Sequence, residues 1–352
     1  MTDGFQTVLA ASDEERRDLF VGAADRLRTN EQNIEKDFWV CWTLDALFNG
    51  LKAGGPRLLF KGGTSLSKGY GLIERFSEDI DITVFREDIG QPATVEELEA
   101  LSGKKRNARI EAIKNACQAH IQGSMLEQLS ELLQQTLQSA KMNANRARVE
   151  PDPDDSDGQS LLLWYPTTTA GGNEYIRRAI KIESGAKSAL DPHAPVVVKP
   201  YIADDLPGVD LLVSNVTTVD SSRTFWDKIV ILHGLRRWWD RRGELKGGGQ
   251  RVSRHYYDVY RLLAADIGRR ASGDMAMAED CVRHARMFFS RPDLDLASAI
   301  AGSFALMPHD GMLDALRQDY EAMSGMVFGK IPNVDEVLAG IEELEQRINR
   351  GN

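Results

Sequence analysis

The sequence predicts an α+β protein in which a β-sheet core carries a helical insertion and is followed by a helical C-terminal region. Three observations predict this class. Short apolar runs bounded by glycine and proline, beginning with 58–60, have the length and the flanks of strands. The polar stretch 94–146 consists of good helix formers with only scattered glycine. From Val219 onward the composition again favours helices.

Length and composition bound the organisation of the chain. With 352 residues it can bury a large core and form two or three structural units. We expect an N-terminal helical region over 1–53, a core over 54–218 with the helical insertion at about 86–150, and a C-terminal helical domain over 219–352.

Several classes of protein are excluded by the same composition. No apolar run approaches the roughly 18 residues of a membrane span, and the N-terminus lacks the basic start and apolar core of a secretory signal. The three cysteines are far apart, which argues against a disulfide framework and a zinc knuckle. We therefore expect a cytoplasmic protein with no membrane partner.

The N-terminal region is predicted to be helical over 12–48. Ser12 can cap the helix start, and the acids at 13–15 lie favourably in its first turn. Apolar residues over 34–46 recur at helical spacing and predict a core face. The charged triplet 35–37 is compatible with a solvated helix start or with a role in catalysis.

The stretch 58–85 carries the chemistry. An apolar strand is followed by the glycine pair Gly62 and Gly63, a short helical segment, and a second strand with Asp79 and Asp81. Residues two apart in a strand point to the same side and lie roughly 6 to 7 Å apart, so both carboxylates can reach divalent cations. Two metals about 3.5 to 4 Å apart can activate an attacking oxygen and stabilise a leaving one.

Two acids with this spacing also occur by chance on surface strands. The preceding glycine pair with Thr64, and the apolar flanks Ile80 and Ile82, make chance much less plausible here. The stretch therefore predicts a phosphate loop followed by a metal site.

The remaining core is predicted to return to the sheet. We expect strands at 161–165, 175–183 and 195–198, and an acidic turn at 149–159. A calcium loop in that turn would need glycine at Asp157 and glutamate at Leu163, so the turn is not expected to bind metal. Glu183 ends an apolar strand and is a candidate third carboxylate, or simply a strand-end residue.

The C-terminal region begins with a helix that Asp220, Ser221 or Ser222 can cap, and the glycine-rich tract 246–250 leads to a second helix. Although the chain carries a net charge of −10, the segment 223–261 contains ten Lys or Arg against four Asp or Glu. A basic path for a nucleic-acid backbone is therefore possible in this segment.

The stretch KGGTSLSKGYGLIERFSEDIDI resembles the AbiEii/AbiGii (MenT-like) toxin branch of the nucleotidyltransferase superfamily. The triplet at 35–37 matches the family's EKD, and Lys228 and Asp258 match its third and fourth motifs. The chain departs from the last motif, because Arg254 is followed by His255 where the family often has Arg-Asp. The resemblance spans nearly the whole chain outside the insertion and implies a nucleotidyltransferase-like mixed β-sheet core.

The resemblance also implies a function. It indicates a toxin of a toxin–antitoxin or phage-abortive (abortive infection) system that transfers a nucleotide from a nucleoside triphosphate to an RNA acceptor, the 3′ end of a tRNA. The implied partners are the triphosphate, the tRNA and a cognate antitoxin, and the implied cofactor is Mg²⁺, as two ions.

Each candidate residue receives a role from this resemblance. Asp79, Asp81 and Glu183 would hold the metals, Lys228 would steady the departing pyrophosphate, and Asp258 would orient Lys228. The nucleotide would be bound by Lys228 and by the loop residues Lys61, Gly62, Gly63, Thr64 and Ser65. The two helices predicted in the basic segment 223–261 would form the other wall of the substrate cleft. Their aromatic residues are expected in the core rather than as platforms on which bases stack: Trp238, Trp239, Tyr256 and Tyr257.

Several alternatives remain open at this point. Ser77 is a possible regulatory phosphosite, since a phosphate there would add up to about −2 charges beside the acids. The alternative is that its hydroxyl only hydrogen-bonds the loop. The enzyme could instead modify a small molecule or a protein, or the chain could be a non-catalytic nucleotide-binding module.

Overall fold

The computed structural model describes residues 2–143, 145, 147–169, 177–249 and 251–350. The chain divides into two compact units. The core unit comprises the residues up to Tyr70 together with 76–93 and 107–219, and the C-terminal unit comprises 71–75, 94–106 and the chain from Asp220 onward.

Three helices precede the sheet: α1 (Asp3–Leu9), α2 (Asp13–Leu27) and α3 (Glu31–Asp45). The predicted cap of α2 is confirmed, because the Ser12 hydroxyl accepts from the backbone N–H of Glu15 and the Glu15 carboxylate accepts from that of Ser12. The region predicted to be helical over 12–48 consists of two separate α-helices. Arg28 adopts a left-handed conformation at φ 54°, and Asn30 caps α3 as a separate helix.

The sheet has seven strands in the order β3-β4-β5-β2-β1-β7-β6. Their bounds are β1 (Leu58–Lys61), β2 (Ile80–Val84), β3 (Arg148–Pro151), β4 (Ser160–Trp164), β5 (Ala179–Glu183), β6 (His193–Val198) and β7 (Val213–Val219). β1 pairs with β7, and β2 with β5, in parallel, whereas the other neighbours are antiparallel. The mixed sheet and the α+β class are thereby confirmed.

Most of the predicted strands are present, with two additions. The strands expected at 161–165 and 195–198 are β4 and β6. The strand expected at 175–183 corresponds to β5, which begins at Ala179. Residues 175 and 176 lie outside the described chain. β3 was expected to be part of the acidic turn, but it pairs with β4. β7 was not predicted and lies between β1 and β6.

The strands nearest the middle of the sheet are apolar on both faces, as expected for a sheet covered on both sides. Leu59, Phe60, Ile80, Ile82 and Ile182 are fully buried. The same burial extends along α3, whose residues 32–45 are all buried. This helix therefore belongs to the core of its unit.

The insertion contains the helices α5 (Val95–Glu99), α6 (Gly103–His120) and α7 (Leu126–Ser139), as predicted, and a one-turn helix α4 (Gly62–Thr64) follows β1. The later helices are α8 (Ser221–Arg242), α9 (Ser253–Ala264), α10 (Asp266–Ala271), α11 (Met275–Phe288), α12 (Asp310–Met323) and α13 (Val334–Arg350). Asp220 caps α8 by accepting from the backbone N–H of Ser222 at 2.7 Å. Gln250, the last residue of the predicted glycine-rich tract, lies outside the described residues.

Among the helices described, we find none long and apolar enough to cross a membrane.

Candidate active site

Register places two of the three candidate acids side by side at one end of the sheet. Lys61 on β1 pairs with Asp81 on β2, and Asp81 pairs with Glu183 on β5. Register partners on neighbouring strands point to the same face and lie roughly 5 Å apart. The structure thus brings Lys61, Asp81 and Glu183 together in the core unit. Asp79 precedes β2 and stands two residues before Asp81 in the chain.

Two lysines form ion pairs with the acid row, the name used here for Asp79, Asp81 and Glu183. Lys61 Nζ lies 3.7 Å from Asp81 Oδ1, and Lys181 Nζ lies 2.8 Å from Glu183 Oε1. Lys181 also lies 3.3 Å from the buried Asp152 carboxylate. The position of Glu183 thus depends on Lys181, a residue that the sequence interpretation missed although it stands two positions earlier on the same strand face.

The residues fit a magnesium ion by chemistry. Three carboxylates offer the oxygen ligands that Mg²⁺ prefers, and the register aligns two of their strands. In the part of the chain that the structure describes, however, no three His, Cys, Asp or Glu side chains converge as a metal-binding group. As the side chains stand, Lys61 and Lys181 neutralise Asp81 and Glu183, so a bound cation would replace these lysine contacts.

The glycine turn lies directly against the acids. Gly62 has φ +76°, and a Cβ atom at this position would stand 2.1 Å from Asp81 Oδ2. Both the backbone conformation and the close approach require glycine. The first glycine of the predicted phosphate loop is therefore the point at which the backbone meets the Asp81 carboxylate.

The hydroxyls that follow the glycines point inward. Thr64 and Ser65 are fully buried, and Ser65 donates to the Gly62 carbonyl at 2.9 Å. Thr64 donates to the Asp79 backbone carbonyl and also lies 2.7 Å from Ser77 Oγ. A hydroxyl has one proton and a carbonyl can only accept, so Ser77 must donate to Thr64.

This chain of hydrogen bonds ties the glycine turn to the backbone of Asp79. The Ser77 hydroxyl thus has the hydrogen-bonding role that was the alternative to a regulatory phosphosite. Phosphorylation of Ser77 stays a prediction. Any contact of Thr64 or Ser65 with a nucleotide would have to use the backbone N–H groups.

The charged triplet of α3 is buried, so the solvated-start interpretation is wrong. Glu35 accepts hydrogen bonds from the hydroxyls of Thr167, Thr168 and Thr169 and from the backbone N–H of Thr168. These threonines begin the glycine-containing tract, of which residues 170–173 lie outside the described chain. Glu35 therefore anchors the start of this tract to α3.

Lys36 and Asp37 hold two further segments. Lys36 Nζ lies 2.7 Å from Glu78 Oε2, next to Asp79 in the chain, and donates to the Arg177 carbonyl at 2.9 Å. Asp37 pairs with Lys68 at 2.7 Å and accepts from the backbone N–H of Tyr201, whose ring lies 3.7 Å from Lys68 Nζ. Burial alone would lower the pKa of Lys68, but the adjacent Asp37 carboxylate outweighs it and the pKa is raised.

In the C-terminal unit, Lys228 and Asp258 are brought together as predicted. Their charged atoms lie 2.8 Å apart, and Asp258 also accepts two hydrogen bonds, at 2.7 and 2.8 Å, from the Arg75 guanidinium. Burial would raise the pKa of Asp258, but the two cations lower it well below its usual range. The pair is fully buried rather than an exposed helix–helix salt bridge.

Arg75 was missed by the sequence interpretation, although it stands between the glycine turn and the acids. The available signal was the pair of charged residues, Glu74 and Arg75, between the apolar Ile73 and Phe76. Whether the Lys228 cluster forms the second wall of a cleft stays a prediction.

Acids that lie close in space offset much of the charge of the basic segment. Arg223 is almost fully buried. The ion pairs are Arg223 with Asp227 and Asp280, Arg236 and Arg237 with Asp240, Arg241 with Asp295, Arg242 with Asp293, and Arg261 with Glu74. Tyr256 and Tyr257 are buried, which confirms the core interpretation for these two aromatic residues. A count of charges along this segment therefore overstates its basic surface.

Comparison with known proteins was made by sequence and by structure. A family model described as a nucleotidyl transferase AbiEii toxin of a type IV toxin–antitoxin system matches residues 45–340. No curated protein matches the sequence. Among solved structures the chain is similar to MenT4, a nucleotidyltransferase toxin from Mycobacterium tuberculosis H37Rv, with 16% identity, 94% of this chain and 97% of that chain covered, and a TM-score of 0.41.

Proposed function

The chain belongs to the AbiEii family of nucleotidyl transferase toxins of type IV toxin–antitoxin systems, and we propose that it transfers a nucleotide to the 3′ end of a tRNA in the cytoplasm. Family membership implies a nucleoside triphosphate as substrate and a cognate antitoxin as partner. The observation that supports the proposal is the acid row, in which Asp81 and Glu183 are register partners and Asp79 stands two residues before Asp81.

We assign the metal ions of this reaction to the acid row. Asp79 and Asp81 would hold two Mg²⁺ ions, with Glu183 as the third carboxylate. When bound, the ions would neutralise charge on the triphosphate and favour ionisation of the acceptor hydroxyl. Lys61 and Lys181, released from the carboxylates that they now contact, would retain their positive charge beside the bound phosphates.

The glycine turn supplies the second part of the proposed site. Its backbone N–H groups would bind phosphate oxygens, because the side chains of Thr64 and Ser65 are engaged inside the protein. The bond from Thr64 to the Asp79 carbonyl fixes the turn relative to the acids. Phosphoryl transfer depends on such positioning more than on covalent chemistry by the protein.

The proposal is tested by incubating purified protein with Mg²⁺, total tRNA and each α-labelled triphosphate in turn. Wild-type protein should label tRNA with at least one triphosphate, and Asp79→Ala and Asp81→Asn should each reduce the rate at least about 100-fold, equivalent to ~2.7 kcal/mol of barrier. Asp157→Asn is the matched control, since Asp157 is a half-exposed carboxylate of the same unit that pairs with Lys114 at 3.1 Å.

Equal labelling by wild type and Asp81→Asn would overturn the assignment of the acid row. Transfer to small acceptors with no label in RNA would retain the site but overturn the tRNA acceptor. Absence of any transfer, with triphosphate binding intact, would indicate a binding module instead.

A further inference from the structure

A cavity of about 560 Å³ lies in the core unit, away from the acid row. It is lined by Leu58, the first residue of β1, and by Phe85, which follows the last residue of β2. Lys61 and Asp81 are at the opposite ends of these strands, roughly 10 Å along the sheet. The volume is within the range of small-molecule pockets, so the cavity is a separate candidate site.

The charged residues of the cavity wall itself are cations. Lys52 and Arg57 contribute them, and no acid occurs among the described residues that line the cavity. Just outside the lining, Glu131 lies 3.5 Å from Lys52 Nζ and Asp191 lies 3.2 Å from His193 Nδ1. Asp88 accepts from Nε and Nη2 of Arg57 but lies outside the lining, so the Nη1 hydrogens are not used by that pair. In a protein with a net charge of −10, this wall favours an anionic ligand.

Planar groups form one side of the cavity. The Arg57 guanidinium lies 4.3 Å from the centroid of the Phe85 ring. The His193 imidazole meets the same ring edge-on, at 5.6 Å and 83°. Guanidinium and aromatic planes are the surfaces on which planar heterocycles stack.

The wall also contains polar side chains, among them His120, Ser124 and Asn215. His120 Nδ1 lies 3.0 Å from Ser124 Oγ, whereas its Nε2 is inaccessible to solvent and therefore does not face the cavity. Burial lowers the pKa of His120. Asn215, also in the wall, has φ +62° in β7 where the register with β6 shifts, the geometry of a β-bulge.

We propose that this cavity binds a small planar aromatic anion with the size and chemistry of a nucleoside monophosphate. The aromatic part stacks beside Arg57 and His193, and the anionic group is bound by Lys52 and Arg57. The site is distinct from the acid row, and its occupation does not depend on nucleotide transfer.

The test uses isothermal titration calorimetry of the full chain with AMP, in EDTA so that no divalent ion is present. AMP should bind once per chain, and adenosine and ribose 5-phosphate, which lack the anion and the aromatic ring respectively, should each bind at least about tenfold more weakly, a difference of ~1.4 kcal/mol. Asp81→Asn should bind AMP as wild type does.

Two variants locate the ligand. Ser124→Trp places an indole at an exposed position of the wall and should reduce AMP affinity at least about tenfold by filling the cavity. Arg57→Gln should weaken binding to a similar degree. Arg148→Gln is the matched control, because Arg148 also pairs with a carboxylate, Glu150, and lies 4.7 Å from an aromatic ring, yet is not part of the cavity.

Thermal unfolding shows whether Ser124→Trp is folded. If it is not, the AMP affinities of Arg57→Gln and Arg148→Gln locate the ligand instead. Equal affinity of these two arginine variants would overturn the proposal. So would a change in AMP affinity in Asp81→Asn, in either direction, which would place AMP at the acid row, or binding to wild type weaker than about 1 mM. Equal affinity for ribose 5-phosphate would overturn the aromatic part.

Discussion

Replacing Asp37 by Asn should destabilise the core unit by about 3–5 kcal/mol, the usual cost of leaving one member of a buried ion pair without its partner. The Asp37 and Lys68 side chains are only 3% and 5% exposed, and their charged atoms lie 2.7 Å apart. At that distance and an effective dielectric of about 20, the attraction amounts to roughly 6 kcal/mol, from which the cost of desolvation is subtracted. That cost is large for Asp37, because burial raises the pKa of its carboxyl more than Lys68 lowers it. Asn keeps the shape and an acceptor for the Tyr201 backbone N–H, so the change isolates the charge.

A double-mutant cycle separates the pair from its surroundings. Lys68→Met removes the cation but keeps an unbranched apolar chain, so the double variant contains no buried unpaired charge. It should be more stable than Asp37→Asn alone, with a coupling energy of at least about 2 kcal/mol. The contact of Lys68 with the Tyr201 ring, worth about 0.5–2 kcal/mol, is lost in the double variant and limits the recovery.

Urea unfolding followed by tryptophan fluorescence measures these free energies, because Trp39 and Trp42 are buried on the same helix as Asp37. The control cycle is Glu131→Gln with Lys52→Met, an ion pair of the same unit whose side chains are 57% and 74% exposed. It should show coupling below about 1 kcal/mol. If Asp37→Asn costs no more than Glu131→Gln, or if the first cycle is additive, the assigned role of the buried pair is refuted.

Two further outcomes are expected from the geometry. Gly62→Ala should reduce the rate of nucleotide transfer at least about 100-fold, because the new Cβ would displace Asp81. The control is Gly90→Ala, at a similar φ of +72° but in open space, which should cost only backbone strain. Similar activities of the two variants would contradict this. The lowered pKa of Asp258 means that its ionised form contributes stability above its unfolded pKa of about 3.9, and that this contribution is lost as the pH falls toward the folded pKa. The difference in unfolding free energy between wild type and Asp258→Asn, measured in urea at several pH values, should therefore narrow from pH 7 toward about pH 3; a difference that widens would contradict the assignment.

Local signals in the sequence predicted much of the fold. The capping box of α2, the cap at Asp220 and the apolar strands are properties of a few neighbouring residues, and the structure confirms them. β7 escaped prediction because four of its seven residues are polar and Asn215 interrupts the extended conformation. Thr218 is nevertheless buried, since its hydroxyl donates to the Val216 carbonyl at 2.7 Å. Such a polar sequence forms a strand here because it pairs with the neighbouring strands β1 and β6.

The candidate site was likewise predictable only where its residues are close in the sequence. The two-residue spacing of Asp79 and Asp81 is visible in the sequence, but the alignment of Glu183 with Asp81 requires the parallel pairing of β2 with β5. Arg75 and Asp258 are 183 positions apart. A window of sequence contains no information on such partners, so it identifies a charged residue without showing what neutralises it.

The triplet of α3 shows how far this limit extends. Three consecutive residues on a helix point in directions about 100° apart, so they can be solvated together only if much of the helix surface is exposed. Here every side chain over 32–45 is buried, and each charge therefore needs its own partner. Glu35 holds 167–169, Lys36 holds the residue before Asp79, and Asp37 holds Lys68 at the end of the segment that begins with the glycine turn. The alignment of that turn with the acid row thus depends on charges that appear in the sequence as an ordinary polar helix start.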